Sequence, residues 1–164
     1  FRIGIFSPRV GKKFSYLIRG YDEYPYTQKN ISLFYNDILK SILNLNSHEI
    51  EVYIKFKRTA SKYHSSFEKN IYNTLKASYS NIKLDFIDDN KDIVTLISDS
   101  DLIISLPYTS PSVLASFINI NSFFYDPNFL LTKKDINNNS CGIKIINDKK
   151  DLSNIINEKL NEHY

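Results

Sequence analysis

Three hydroxyl side chains stand close together directly after an apolar segment of the chain. Thr109, Ser110 and Ser112 follow the run 102–106, Leu-Ile-Ile-Ser-Leu, which has the length and composition of a buried strand. Hydroxyl groups and the free N–H groups of a helix's first turn are the donors that an oxyanion such as phosphate requires. The cluster therefore predicts a phosphate or nucleotide site, although the same residues would also serve as ordinary N-caps of the next helix.

Three cations end an earlier strand. Lys55, Lys57 and Arg58 lie at the carboxyl end of the alternating segment 49–56, and the alternation predicts that Lys55 and Lys57 share one face of it. Such cations often belong only to a solvated strand end. A cation after one parallel strand and hydroxyls after another would, however, meet at the same edge of a sheet and hold a phosphate between them.

The remaining polar residues give weaker signals. Asp126 follows an apolar strand and precedes Pro127, so it is either a turn residue or an acceptor for a ribose or sugar hydroxyl. The histidines are scattered, Cys141 has no histidine at a recognisable spacing, and no carboxylate pair has metal-ligand spacing. Glycine-rich dinucleotide and Walker-type motifs are missing, which argues against those enzyme classes. We therefore expect no metal and no cofactor.

The elements that must position these residues alternate along the chain. Apolar or alternating runs predict strands, and apolar residues at three- and four-residue spacing predict helices between them. The predicted strands cover 2–6, 49–56, 82–87, 102–106, 122–125 and 142–146, and the predicted helices cover 29–45, 65–79, 92–98, 112–117 and 152–160. This order predicts a doubly wound α/β fold, with a mostly parallel six-stranded sheet and helices on both faces. Ligands of such sheets bind outside the carboxyl ends of the strands.

Length and composition bound the class of protein. The 164 residues fit a single domain, 1–164, and 42% hydrophobic with 24% charged residues is typical of a globular protein. A formal charge of +3 without a dense Lys/Arg run excludes a nucleic-acid-binding signature, so we expect no nucleic acid partner. The chain has one cysteine and neither a signal peptide nor a long apolar run, so we expect a cytoplasmic protein. It begins at Phe1 and contains no methionine, so we expect it to be a fragment of a two-domain protein.

Two segments resemble the carboxyl-terminal, donor-binding domain of GT-B glycosyltransferases, especially bacterial surface carbohydrate biosynthesis proteins. The segment 52–58, Val-Tyr-Ile-Lys-Phe-Lys-Arg, is similar to the family's strand ending in a Lys-x-Lys-Arg signature. The other segment is 100–111, which continues through Leu114-Ala115 to the run 122–127. CDP-glycerol glycerophosphotransferases look similar at the later strand, but they carry His-Pro where this chain has Phe56-Lys57.

The resemblance implies a Rossmann-like GT-B half that binds a nucleotide-sugar for the synthesis of bacterial cell-surface polysaccharide. It implies that the Thr109-Ser110 turn and Lys55, Lys57 or Arg58 hold the nucleotide phosphate. It also implies a separate amino-terminal acceptor domain with the catalytic base, so that this chain alone would be inactive, and it allows peripheral inner-membrane association of the full-length protein. Two alternatives stay open: a CDP-polyol phosphotransferase-like domain, and a noncatalytic interaction or regulatory module whose partner surface includes Tyr16, Tyr21, Tyr24 and Tyr26.

Overall fold

Strands and helices alternate along the chain. The computed structural model describes residues 1–8, 10, 26–45, 50–56, 66–87, 91–107, 109–129 and 142–163. Within these ranges the strands are β1 Arg2–Ser7, β2 Glu51–Phe56, β3 Lys83–Phe86, β4 Leu102–Ser105, β5 Asn121–Tyr125 and β6 Lys144–Ile146. The helices are α1 Gln28–Leu43, α2 Ser66–Ser78, α3 Ile93–Ser98, α4 Ser110–Phe117 and α5 Lys149–His163. Every predicted element is confirmed, with ends that differ by a few residues.

Two helices begin two or three residues earlier than predicted, for different reasons. We expected α4 to begin after Pro111, but proline fits the first turn of a helix, where its missing N–H costs nothing. The first turn of α5 is polar and shows no apolar periodicity, and the carboxylate of Asp148 fixes its start by accepting the N–H groups of Lys150 and Asp151. Within the described ranges, no helix has the length and apolar character needed to cross a bilayer.

The six strands form one sheet in the order β3-β2-β1-β4-β5-β6, and each neighbouring pair is parallel. This confirms the predicted doubly wound sheet. The strand order runs one way from β1 to β3 and the other way from β4 to β6, so the direction reverses between β1 and β4. In open parallel sheets that reversal opens a crevice at the carboxyl edge, where ligands bind.

Each face of the sheet carries its own hydrophobic core. On the first, here called the α1 face, Ile3 and Ile5 of β1 pack with buried residues of α1, α2 and α5. On the second, here called the α4 face, Phe6 packs with Ile97 of α3 and Ala115 of α4. Alternate residues of one strand point to opposite faces, so the two cores share the central strands β1, β2 and β4.

Gly4 of β1 makes room for a large side chain on the α4 face. Tyr53 of β2 is in register with Gly4, and its ring crosses β1 above that residue. The phenol then donates to the carbonyl oxygen of Leu96 at 2.8 Å and lies 2.7 Å from the Ser100 hydroxyl. The missing side chain at Gly4 thus lets Tyr53 tie the sheet to the end of α3.

Candidate functional site at the carboxyl edge

Ser7, the last residue of β1, lies beside the point where the strand order reverses. Its side chain is 4% exposed and belongs to the α1 face by alternation. The hydroxyl accepts a hydrogen bond from the Tyr35 phenol at 2.6 Å and donates to the carbonyl oxygen of Pro8 at 3.2 Å. Ser7 therefore fixes α1 to the end of β1 and is held inside the fold.

Lys55 lies near the carboxyl end of β2 and is only 7% exposed. The interpretation of this residue as part of a solvated strand end is therefore wrong, because a lysine at such an end would be largely exposed. Lys55 is in register with Phe6, which is in register with Ser105 of β4, so all three side chains share the α4 face. β1 separates Lys55 from β4, which puts the two strands roughly 10 Å apart.

Ser112 lies inside the fold at the first turn of α4. Its side chain is fully buried, and its hydroxyl oxygen lies 2.5 Å from that of Ser105 and donates to the carbonyl oxygen of Phe123 at 3.3 Å. The hydroxyl of Ser122 in turn donates to the carbonyl oxygen of Ser112 at 3.0 Å. Ser112 thus anchors α4 to both β4 and β5.

The first turn of α4 has no side-chain cap among the described residues. Thr109 occupies the N-cap position, but its hydroxyl donates backwards to the carbonyl oxygen of Leu106 at 2.7 Å. The interpretation of the hydroxyl cluster as ordinary side-chain capping is therefore wrong. Ser110, the first residue of the helix, is exposed to solvent. Its hydroxyl and the free N–H groups of the first turn are donors at the carboxyl edge of the sheet.

In two other helices of the chain, a side chain of the protein caps the first turn. Thr27 caps α1 through Asn30, and Asp92 caps α3 by accepting the N–H of Thr95 at 2.8 Å. The hydrogen bonds from the Thr95 N–H and hydroxyl lower the pKa of the Asp92 carboxyl, because they favour its charged form. At α3 a carboxylate of the protein fills the position that favours an anion. At α4 the corresponding residue, Thr109, is uncharged.

Asp126 follows β5, the strand next to β4. The Phe129 N–H donates to its carbonyl oxygen at 3.2 Å, which confirms the interpretation of Asp126-Pro127 as the start of a turn. Its own N–H donates to the carbonyl oxygen of Ile146, and the Asn147 amide donates to the Asp126 carbonyl oxygen. The residue is 3% exposed. Its role toward a ribose or sugar hydroxyl stays a prediction.

Several predicted residues lie outside the described ranges, namely Lys57, Arg58, His48, His64, Cys141, Tyr16, Tyr21 and Tyr24. Tyr26, the fourth tyrosine of the predicted partner surface, packs against the core of the α1 face. Among the residues that the structure describes, no group of three His, Cys, Asp or Glu side chains is arranged to hold a metal ion.

Sequence reasoning missed the part that Ser105 plays in this site. Ser105 is a hydroxyl residue within an apolar strand, and it stands seven residues before Ser112. A buried hydroxyl needs a hydrogen-bond partner, so a serine in a predicted interior strand indicates a polar neighbour from another element. The neighbour is Ser112 of the following helix.

The fold has a counterpart among solved structures. It is similar to the crystal structure of the C-terminal domain of a glycosyl transferase group 1 family protein, LpcC, from Francisella tularensis. The TM-score is 0.58 at 11% sequence identity, and the match covers 98% of this chain and 75% of that chain. This likeness confirms the predicted fold of a GT-B carboxyl-terminal domain. No curated protein sequence has significant similarity to the chain.

A protein family matches most of the chain. The family of polysaccharide biosynthesis PFTS motif proteins matches residues 7–156, which include all elements from α1 to β6. The letters P-F-T-S in its description differ at one position from Pro107-Tyr108-Thr109-Ser110 of this chain. That segment joins β4 to α4 at the carboxyl edge. The chain therefore belongs to the polysaccharide biosynthesis PFTS motif protein family.

Proposed function

We propose that this chain is the donor-binding domain of a glycosyltransferase that makes polysaccharide, and that the phosphate of its nucleotide-sugar binds at the first turn of α4. One observation carries the proposal. The uncapped first turn of α4 and the buried cation Lys55 lie on the same face and the same edge of the sheet, with β1 between their strands. Their positions flank the reversal of strand order at which parallel sheets bind ligands.

The described groups of this site would act by electrostatics. The Ser110 hydroxyl and the first-turn N–H groups are neutral donors, and Lys55 supplies a positive charge. Such donors stabilise the negative charge that grows on a nucleotide phosphate as it leaves the sugar. Ser112 would contribute its backbone N–H, because its hydroxyl already binds Ser105 and Phe123.

The other predicted groups belong to the same proposal. Lys57 and Arg58 would add positive charge after β2, and Asp126 would accept a hydrogen bond from the ribose or the sugar. The family description supports the proposal, because three of its four P-F-T-S letters recur in order in Pro107-Tyr108-Thr109-Ser110, the residues that lead into α4. We propose further that the acceptor site and the catalytic base belong to a separate amino-terminal domain, and that the enzyme works in the cytoplasm on cell-surface polysaccharide.

Isothermal titration of the folded chain with CMP, CDP and UDP tests the proposal. Cytidine and uridine serve as controls that lack phosphate. We expect the nucleotides to bind and the nucleosides to bind at least about tenfold more weakly, because a charge-assisted hydrogen bond contributes about 1.5–3 kcal/mol. Replacing exposed Ser110 with alanine should weaken nucleotide binding without changing the urea midpoint. The proposal is wrong if none of the nucleotides binds at millimolar concentration while the chain remains folded.

A further inference from the structure

A groove lies at the outer edge of the sheet, and it adjoins the proposed nucleotide site at Asp126, whose carbonyl oxygen accepts hydrogen bonds from the Phe129 N–H and the Asn147 amide. It lies between the edge strand β6 and α5, has a volume of about 460 Å³, and has Phe129 in its lining. Its volume falls within the range of about 300–1,000 Å³ that is typical of ligand sites. Three further strands, β1, β4 and β5, lie between β6 and β2, which carries Lys55.

The lining of the groove combines hydrogen-bonding groups with an apolar floor. Asp151, Asn154, Ile155 and Glu158 follow one another at three- or four-residue spacing and so lie on one side of α5. Ile155 is buried, whereas the other three side chains are exposed. Asn147, at the end of β6, adds a second amide. Carboxylates accept hydrogen bonds and amides both donate and accept them, as hydroxyl-rich ligands require.

The charges of the groove are partly balanced within the protein. Asp148 already accepts the N–H groups of Lys150 and Asp151 at the start of α5, and Glu158 lies 3.6 Å from the Lys159 ammonium. Lys144 contributes a positive charge to the same lining. The polar groups therefore offer donors and acceptors to a ligand rich in hydroxyls, and a polycation is the alternative that the three carboxylates of the lining require the test to include.

Phe129 contributes an aromatic ring to the lining of the groove. It is 46% exposed, and its backbone has a φ of 54°, in the left-handed region that bulky residues rarely adopt. Two contacts hold this turn: the Phe129 N–H donates to the Asp126 carbonyl oxygen, and the Asn128 amide donates to the Asn30 side-chain oxygen at 3.1 Å. Strained residues that the surrounding structure fixes in this way concentrate at ligand clamps.

We propose that this groove binds an oligosaccharide. The ring of Phe129 would pack against the C–H face of one sugar unit, and the amides and carboxylates would bind the hydroxyls of the next. Phe129 and Asn147 follow the ends of β5 and β6, so this part of the groove lies at the carboxyl edge, and a bound polysaccharide chain would extend along the same edge as the first turn of α4. The inference requires only the family's link to polysaccharide and does not depend on the nucleotide site.

Amide chemical shifts in ¹H–¹⁵N spectra of the full chain test the inference, with maltotriose, cellotriose and chitotriose as probes at millimolar concentration. We expect at least one of them to shift the amides of Phe129, Asn147 and Asn154. Phe129→Asn, which keeps a residue that tolerates positive φ, should weaken this binding about two- to tenfold, because it removes the aromatic face on which the sugar would pack. Asn154→Ala should weaken it as well. The matched control Phe117→Asn removes a ring that is 80% exposed on the α4 face and should change nothing.

Three results would overturn the inference: no sugar shifts these amides, Phe129→Asn binds as well as the wild type, or spermidine shifts them where the sugars do not. A titration with UDP on the same sample, read at the amides of Ser110 and Ser112, reports separately on the nucleotide site. Its result neither supports nor weakens the assignment of the groove.

Discussion

The hydroxyl oxygens of Ser105 and Ser112 lie 2.5 Å apart, and both side chains are fully buried. Ser105 is the last residue of β4, and Ser112 belongs to the first turn of α4. Their hydrogen bond fixes where the helix begins relative to the strand, and so fixes the direction of the free N–H groups of α4. The pair positions the proposed phosphate site without contacting the phosphate.

Replacing Ser112 with alanine should lower the free energy of unfolding by about 1–3 kcal/mol, because it leaves the Ser105 hydroxyl buried without this partner. The double variant Ser105→Ala/Ser112→Ala should be less destabilised than the sum of the two single variants, because it removes both partners. Urea unfolding of the three variants measures this. Strictly additive losses would show that the two hydroxyls do not depend on each other.

The positive charge of Lys55 should strengthen nucleotide binding. Lys55→Met keeps most of the side-chain volume but removes the charge, so nucleotide affinity should fall about ten- to a hundredfold. Isothermal titration measures the affinity, and circular dichroism verifies the fold. The matched control is Lys83→Met, which removes a lysine paired with Glu51 at the opposite edge of the sheet. An equal loss of affinity in both variants would mean that net charge alone attracts the nucleotide.

Gly4 should be among the positions least tolerant of a side chain. A Cβ atom there would lie 2.6 Å from the Tyr53 ring and 2.8 Å from the Cδ1 atom of Ile103, so the Tyr53 ring would have to move. We expect Gly4→Ala to cost about 2–4 kcal/mol, from overpacking and the loss of the Tyr53 hydrogen bonds. Gly142→Ala is the control, because Gly142 has a φ of 64° with open space around it. It should cost only about 1–2 kcal/mol of backbone strain, and an equal loss in both variants would contradict the packing of Tyr53 over Gly4.

The buried phenol of Tyr53 predicts a sensitivity to alkaline pH. Burial raises the pKa of Tyr53 to about 12, against an ordinary value of 10.0. Between these values the unfolded chain loses the phenol proton and the folded chain keeps it, so the stabilisation present below pH 10 is lost as the pH rises. This loss is about 1.4 kcal/mol per pH unit for one group. Tyr53→Phe should remove that part of the slope in urea unfolding at pH 10 to 12, and an unchanged slope would contradict the burial of the phenol.

The order of the elements could be predicted because each one has a clear periodicity. The run 102–106 is apolar except for Ser105, as is typical of a strand covered on both faces, and 29–45 repeats its apolar residues at helical spacing. Alternation of the two kinds of element then restricts the fold to a doubly wound sheet. In such a sheet the carboxyl ends of β2 and β4 lie at the same edge. In the structure the two strands flank β1.

The sequence does not predict which hydroxyls of the cluster are buried and which one is exposed, because this depends on how α4 packs against the sheet. Residue type alone makes Thr109, Ser110 and Ser112 equivalent donors. The packing turns Ser112 inward to Ser105, turns Thr109 back to a carbonyl oxygen, and leaves Ser110 exposed. The burial of Lys55 could not be predicted either, because it depends on the residues that surround it on the α4 face, where Phe6 is its neighbour in register.

The backbone amide signals of α4 test most directly the claim that a nucleotide phosphate binds at its first turn. In ¹H–¹⁵N spectra, CDP or UDP should shift the amides of Ser110 and Ser112, whereas cytidine and uridine should leave them in place. The amide of Thr95, in the first turn of α3, is the internal control, because Asp92 already occupies that turn. We expect shifts at α4 and none at α3, as this binding site requires. Nucleotide binding that leaves the amides of Ser110 and Ser112 unchanged would contradict it.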